Sequence, residues 1–160
     1  MRGLELRDLD YFLRFFSDPV ASAHVGGPSG VEDTWRRMLA GAGLWPLTSL
    51  GMWTIARAAD DQAIGHGGIF DFLRDSDPPI SGKPEMGWIL APEAQGRGLA
   101  REACDAMLDW FEQNFGKQDI WALISPGNEP SMKLARKLGF IQQPDGIYRE
   151  KPQTFWLRPA

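Results

Sequence analysis

The stretch Gln95-Gly96-Arg97-Gly98-Leu99-Ala100 holds the residue types and spacing in this chain that point most directly to chemistry. It joins an apolar segment, residues 85–91, to a segment that reads as a helix, so glycine-permitted backbone and one arginine stand where a helix begins. A helix start offers N–H groups without intrahelical acceptors and the positive end of the helix dipole, which together suit an anion. Glycine at 96 and 98 lets the backbone approach such a group with no Cβ in between. Two phosphate signatures fail on their residues. A P-loop needs Gly-Lys followed by Ser or Thr, where this chain has Leu99 and Ala100 after Gly98, and the dinucleotide pattern G-x-G-x-x-G meets Arg101 at its third glycine. The plain alternative is a turn that only connects a strand to a helix. Asn128 and Ser131 head another helical segment with Pro130 in its first turn, where capping alone accounts for Asn128.

The elements that must position these residues follow from periodicity. Residues 3–9 read as a strand and residues 8–18 as a short helix stopped by Pro19. A loop spans 20–30, and a helix over 31–42 is expected to end at Gly41 and Gly43. Residues 51–59 and 62–74 form a hairpin about the turn Ala59-Asp60-Asp61-Gln62. A strand at 85–91 leads through the glycine turn into a helix whose Ala100, Ala103, Cys104, Met107, Leu108 and Phe111 recur at core spacing. A strand at 119–125, a helix at 129–138 and short strands at 146–151 and 154–158 complete the chain. This order predicts an α/β fold: one domain over 1–160, with a mixed, mostly antiparallel central sheet flanked by helices and a central parallel βαβ crossover.

With 160 residues, 43% apolar, the chain can bury one core and is short for two domains. A net charge of −4 offers no basic footprint for nucleic acid. The charged start and the lack of a long apolar run argue against a signal peptide, an anchor or membrane insertion. The single cysteine, Cys104, excludes an internal disulfide and suits a reducing, cytoplasmic setting. Its place on the apolar helix face predicts a buried small hydrophobe rather than a nucleophile. His24 and His66 have no carboxylate partners at metal spacing, so no metal site is expected.

The run Gln95 to Ala100 matches the Q/R-x-x-G-x-G/A signature of the GNAT superfamily of N-acetyltransferases. The longer run from Glu85 to Ala103, followed by Asn128 to Phe140, resembles the RimJ/RimL-type branch, which includes enzymes that acetylate protein N-terminal amines. The motifs cover residues 85–140, and the element order extends the likeness over nearly the whole chain. The resemblance implies that acetyl-coenzyme A lays its pyrophosphate against the amides from Gly96 to Ala100, beside Gln95 and Arg97. The anion of the opening turn is then a cofactor's diphosphate.

The resemblance also implies roles in transfer to an amine acceptor. A backbone N–H of Ile89 or Leu90 would hold the carbonyl oxygen. Asn128 would reach the pantetheine arm, and Ser131 would lie near the sulfur. Glu85 is the candidate base, directly or through water; the competing reading is a solvated strand-end carboxylate. Many GNAT enzymes have a tyrosine seven residues after the asparagine, where this chain has Ala135, so Ser131 or else Tyr148 would protonate the thiolate. The RimL-like branch shares that lack. Trp45 and Trp88 are candidates to bound a substrate pocket, and His24 lies in a loop that lines the acceptor pocket in the family. The family reads its acceptor through 20–30 and 43–51, where no residue selects a peptide N-terminus over a small amine. A non-catalytic acyl-coenzyme A binding or sensing module is the alternative of a different class, and homodimers are common among such relatives.

Overall fold

The computed structural model describes residues 1–160. Nine strands form a continuous sheet: β1 (Arg2–Gly3), β2 (Gly51–Ala56), β3 (Ala63–Phe70), β4 (Ser76–Asp77), β5 (Glu85–Leu90), β6 (Ile120–Ile124), β7 (Ile141–Gln142), β8 (Gly146–Tyr148) and β9 (Lys151–Arg158). Their spatial order is β1-β2-β3-β5-β6-β9-β8-β4, with β7 also paired to β9. Only β5 and β6 run parallel, as expected where a helix rather than a hairpin joins two strands. The mixed, mostly antiparallel α/β fold read from the sequence is therefore the fold observed.

Four helices cover the two faces: α1 (Leu9–Ser17), α2 (Val31–Thr48), α3 (Leu99–Phe115) and α4 (Glu129–Lys137). The apolar stripe of α3, Ala103, Cys104, Met107, Leu108 and Phe111, packs with Met86, Leu90, Ile120, Met132 and Trp156 into the main core. Tyr11, Phe12, Phe15 and Phe16 of α1 and Met38 of α2 form a second core on the opposite face. Side chains alternate across a strand. Met86, Trp88 and Leu90 of β5 accordingly join the α3 side, and Ile89 packs toward α1.

Several boundaries differ from the periodicity. The first strand shrinks to Arg2–Gly3, and Leu6–Asp8 coils into a 3-10 turn. Asp8 is the cause: its buried carboxylate accepts hydrogen bonds from Arg2 at 2.7 and 2.8 Å, from the Glu5 N–H at 3.0 Å and from Thr54 Oγ1 at 2.7 Å. The helix expected to end at Gly41 continues to Thr48. Gly41 lets it lie close on Met52, and Trp45 packs edge-on against Trp53 and Trp110 while donating Nε1–H to the Met52 carbonyl at 2.9 Å. Burial of that indole outweighs a glycine cost of about 1 kcal/mol each. β3 stops at Phe70 instead of Arg74, because the Asp71 carboxylate takes the Leu73 and Gly82 N–H groups at 2.7 and 2.8 Å and closes a loop instead.

Candidate functional site

Each central strand is paired along its outer edge, β5 to β3 over all its residues and β6 to β9 likewise. Toward one another they share a single register pair, Glu85 opposite Trp121, with the Trp121 N–H donating to the Pro84 carbonyl at 2.8 Å. Beyond it the strands part. The gap is a cleft open to solvent, walled by Met86, Gly87 and Trp88 of β5, by Ala122 to Ile124 of β6 and Ser125 just after it, and by Asn128 and Ser131 at the head of α4. His24 and Val25 complete the wall, and the Ser125 hydroxyl donates to the His24 carbonyl at 2.9 Å, which holds that loop at the end of β6.

The backbone decides which groups face this cleft. The Ala91 N–H donates to the Ile64 carbonyl at 2.8 Å, and antiparallel pairing alternates, so residues 89, 87 and 85 turn their polar groups toward β3. The Ile89 amide is therefore engaged opposite His66. Trp88 and Leu90 direct their N–H groups away from β3, toward the β6 side, so of the two amides named from the sequence only Leu90 is free of β3; Trp88 shares that direction and lines the cleft, whereas Leu90 is buried beyond its wall. Strand pairing carries this distinction; one sequence does not.

The glycine turn continues the same row of donors. After a 3-10 turn at Pro92–Ala94, Gly96 and Gly98 adopt φ of 72° and 82°, the left-handed region that favours glycine. No side chain caps α3, and the N–H groups from Gly96 through Arg101 donate to no protein acceptor. Leu99 and Ala100 are half-buried and Arg97 is exposed. Gln95 turns inward instead, its Nε2 donating to the Leu90 carbonyl at 3.1 Å, so its side chain braces the turn against β5. A run of free amides beside a helix start fits a diphosphate.

At the head of α4 the Asn128 side chain accepts the Ser131 N–H at 3.3 Å, the expected cap, and Ser131 lines the cleft. Ala135, one turn beyond Ser131 and two beyond Asn128 on the same side of the helix, lies fully buried in the main core. A tyrosine there would overpack that core.

Glu85 is 4% exposed, so it is not a solvated strand-end carboxylate. Arg74 grips it with two hydrogen bonds, Nε to Oε2 at 2.5 Å and Nη2 to Oε1 at 2.7 Å, and its guanidinium lies over the rings of Phe72 and Tyr148 at 5.6 and 4.8 Å. Burial pushes the Glu85 carboxyl above the usual carboxylate range, against the opposing pull of Arg74. Glu85 does not line the cleft itself; it sits at the closed end, where β5 and β6 still touch. Arg74 escaped sequence reading because a loop brings it back, and loop closure leaves no periodic mark. Tyr148 packs beneath Arg74 on β8, away from the residues that line the cleft.

The remaining candidates separate clearly. His66 stacks on Phe12 with centroids 4.7 Å apart, and burial drives its pKa down to about 3. Burial also pushes the Cys104 thiol up to about 12, as suits a core residue. Trp88 borders the cleft, whereas Trp45 belongs to the tryptophan cluster with Trp53 and Trp110. No helix is long and apolar enough to cross a membrane.

Known proteins carry the same architecture. A family model for the acetyltransferase (GNAT) domain matches residues 1–141. The uncharacterized N-acetyltransferase p20 of Bacillus licheniformis is 27% identical over 156 residues, covering 94% of this chain and 82% of that protein. The crystal structure of an acetyltransferase from Agrobacterium tumefaciens superposes with a TM-score of 0.86 at 25% identity, over 99% of this chain and 89% of its own. A phosphinothricin acetyltransferase of Sinorhizobium meliloti, solved in complex with AcCoA, superposes with a TM-score of 0.72 over 99% of this chain and 86% of its own; at 19% identity it speaks for the fold alone.

Proposed function

Because the chain belongs to the GNAT acetyltransferase family, we propose that it moves an acetyl group from acetyl-coenzyme A directly to a primary amine. The observation that carries this reading is the row of unpaired amides running from Trp88 and Leu90 on the β6 side of β5 to Gly96 through Arg101 at the start of α3. Such a row fits one extended ligand with hydrogen-bonding groups along its arm and a diphosphate at one end. Acetyl-coenzyme A would supply the activated acyl carbon. The Leu90 and Trp88 N–H groups stabilise the oxygen where charge develops. Gly96 to Ala100 hold the diphosphate, with Arg97 adding charge. Asn128 positions the arm, and Ser131 donates a hydrogen bond to the departing thiolate. Glu85 accepts the amine's proton through water, since it lies outside the cleft wall. The buried Ala135 supports the RimJ/RimL-like branch, and a lone buried thiol, Cys104, suits a cytoplasmic enzyme.

The second reading is a non-catalytic acyl-coenzyme A sensor, and the Glu85–Arg74 pair favours it, because a carboxylate engaged on both oxygens is a poor proton acceptor. Thiol release from acetyl-coenzyme A over an amine panel, beside calorimetric binding of coenzyme A, decides between them. Binding and turnover together support the acetyltransferase; binding without turnover on any amine supports the sensor. Absence of both overturns the donor site.

A further inference from the structure

Helix α2 carries on its surface what no other α-helix of the chain does. Among the large apolar side chains that lie exposed, Val31, Trp35, Leu39 and Leu47 belong to α2, and none belongs to α1, α3 or α4. Val31, Trp35 and Leu39 follow one another at steps of four, so they form one stripe along the first half of the helix, 69%, 36% and 49% exposed. Exposed Ala42 and Pro46 continue it. The stripe is distinct from the side that α2 already buries, where Met38 packs with α1 and Gly41 lies on Met52 of β2. α3 by contrast turns Arg101, Glu102 and Asp109 outward. A tryptophan set between two aliphatic side chains on an exposed face has the composition of an interface centre.

The charges beside the stripe select what covers it. Glu32 and Asp33 make the first turn of α2 acidic, Arg36 and Arg37 make the next one basic, and residues 38–48 carry no charge. Arg36 pairs with Glu32 and Asp33, but all three side chains are at least two-thirds exposed, so these pairs contribute little and are free to exchange. Consider two copies of α2 packed antiparallel about a two-fold axis at Trp35. Val31 of each copy then meets Leu39 of the other, and the two indoles meet at the axis. At 1.5 Å of rise per residue, Glu32 of each copy stands about 3 Å along the helix direction from Arg36 of the other. A parallel pairing would set Glu32 against Glu32 and Arg36 against Arg36. An anionic lipid surface would meet the Glu32 and Asp33 carboxylates at one end of the stripe.

We propose that α2 is the interface of a two-fold dimer of this chain, in which the stripes Val31, Trp35 and Leu39 of two copies pack antiparallel and Arg36 of each reaches Glu32 of the other. A surface that faces its own copy must be complementary to itself. This one meets that requirement twice, because the apolar pattern is centred on residue 35 and the charge pattern, Glu32 to Arg36, on residue 34. The dimer does not depend on the acetyltransferase reading, and its test requires no turnover.

The test is analytical ultracentrifugation of the full chain from low to high micromolar concentration. The expected result is a reversible monomer–dimer equilibrium within that range. Trp35→Glu and, separately, Leu39→Lys should weaken the dimer at least about tenfold, with far-UV circular dichroism unchanged. Glu32→Arg alone and Arg36→Glu alone should each weaken it as well, whereas the two together rebuild the pair with its sign reversed and should return the dissociation constant to within about threefold of the parent's. If Trp35→Glu fails to fold, seen as a lost helical spectrum, the half-exposed Leu39 and the charge reversals decide. A chain that stays monomeric over the whole range, or a dimer indifferent to Leu39→Lys, would overturn the proposal. So would single reversals without effect, or a double reversal no stronger than the singles. A monomer that instead floats with phosphatidylglycerol vesicles would give the stripe to a lipid surface and overturn it too.

Discussion

Glu85 and Arg74 set the terms on which this site can move a proton. A base works in its ionised form, so a carboxyl raised by burial loses activity at a higher pH than an ordinary glutamate as the solution is acidified. Glu85→Gln should lower kcat about 100-fold, within the range for general base catalysis, and flatten the acidic limb of the pH profile. Arg74→Met removes the charge that favours the carboxylate and should move that limb to still higher pH. A Glu85→Gln profile parallel to the parent's would assign the proton to bulk water. Ser131→Ala tests the other end of the transfer. Losing a hydrogen bond to a charged group costs about 1.5–3 kcal/mol, read as a roughly tenfold to 150-fold lower kcat at similar coenzyme A affinity. A rate within twofold of the parent would exclude the Ser131 hydroxyl.

Two elements present the donor site, and each fails in its own way when altered. Gly98 begins α3 with φ of 82°, and a Cβ there would meet no atom within 4 Å, so its requirement is the backbone angle and not space. Gly98→Val should strain the turn, redirect its amides and weaken coenzyme A binding at least tenfold, about 1.4 kcal/mol, with unchanged far-UV circular dichroism. Parental affinity in calorimetry would move the diphosphate elsewhere. Asn128 has two tasks in one side chain, since its cap on Ser131 also orients the cleft wall. Asn128→Ala should therefore cost about 1 kcal/mol of stability together with coenzyme A affinity. Loss of stability alone, seen in a melting curve, would reduce Asn128 to a cap.

At the scale of the molecule, the chain start is stapled to the sheet through Asp8. Burial alone would raise this carboxyl, but the hydrogen bonds from Arg2, Thr54 and the Glu5 N–H outweigh burial and hold it below the usual range. A depressed folded-state pKa gives stability that is present above the unfolded value, near 4, and is lost as the pH falls through the folded one. Asp8→Asn leaves Arg2 without its buried partner and should cost about 3–5 kcal/mol near neutrality, at ~2–4 °C of Tm per kcal/mol for a chain of this size. The Tm gap between parent and variant should narrow below pH 4. A gap independent of pH would mean that Asp8 acts through packing alone.

What the sequence determined by itself was local. The glycine turn, the cap at Asn128, the core stripe of α3 and the order of strands and helices follow from backbone permissiveness, side-chain hydrogen bonding and periodicity, which act over a few residues. The match to a family motif added the cleft and its ligand as an expectation, and the splayed strands agree with it. Tertiary structure alone decided the rest. Whether Ile89 or Leu90 offers its amide depends on register with β3, and whether Glu85 is solvated depends on Arg74 returning from a loop. Whether Gly41 ends a helix depends on Trp45 finding Trp53 and Trp110. Each is a contact between segments distant in the chain. Such contacts are chosen by the burial and pairing energy of the whole fold, which outweighs local propensities of a kilocalorie or less.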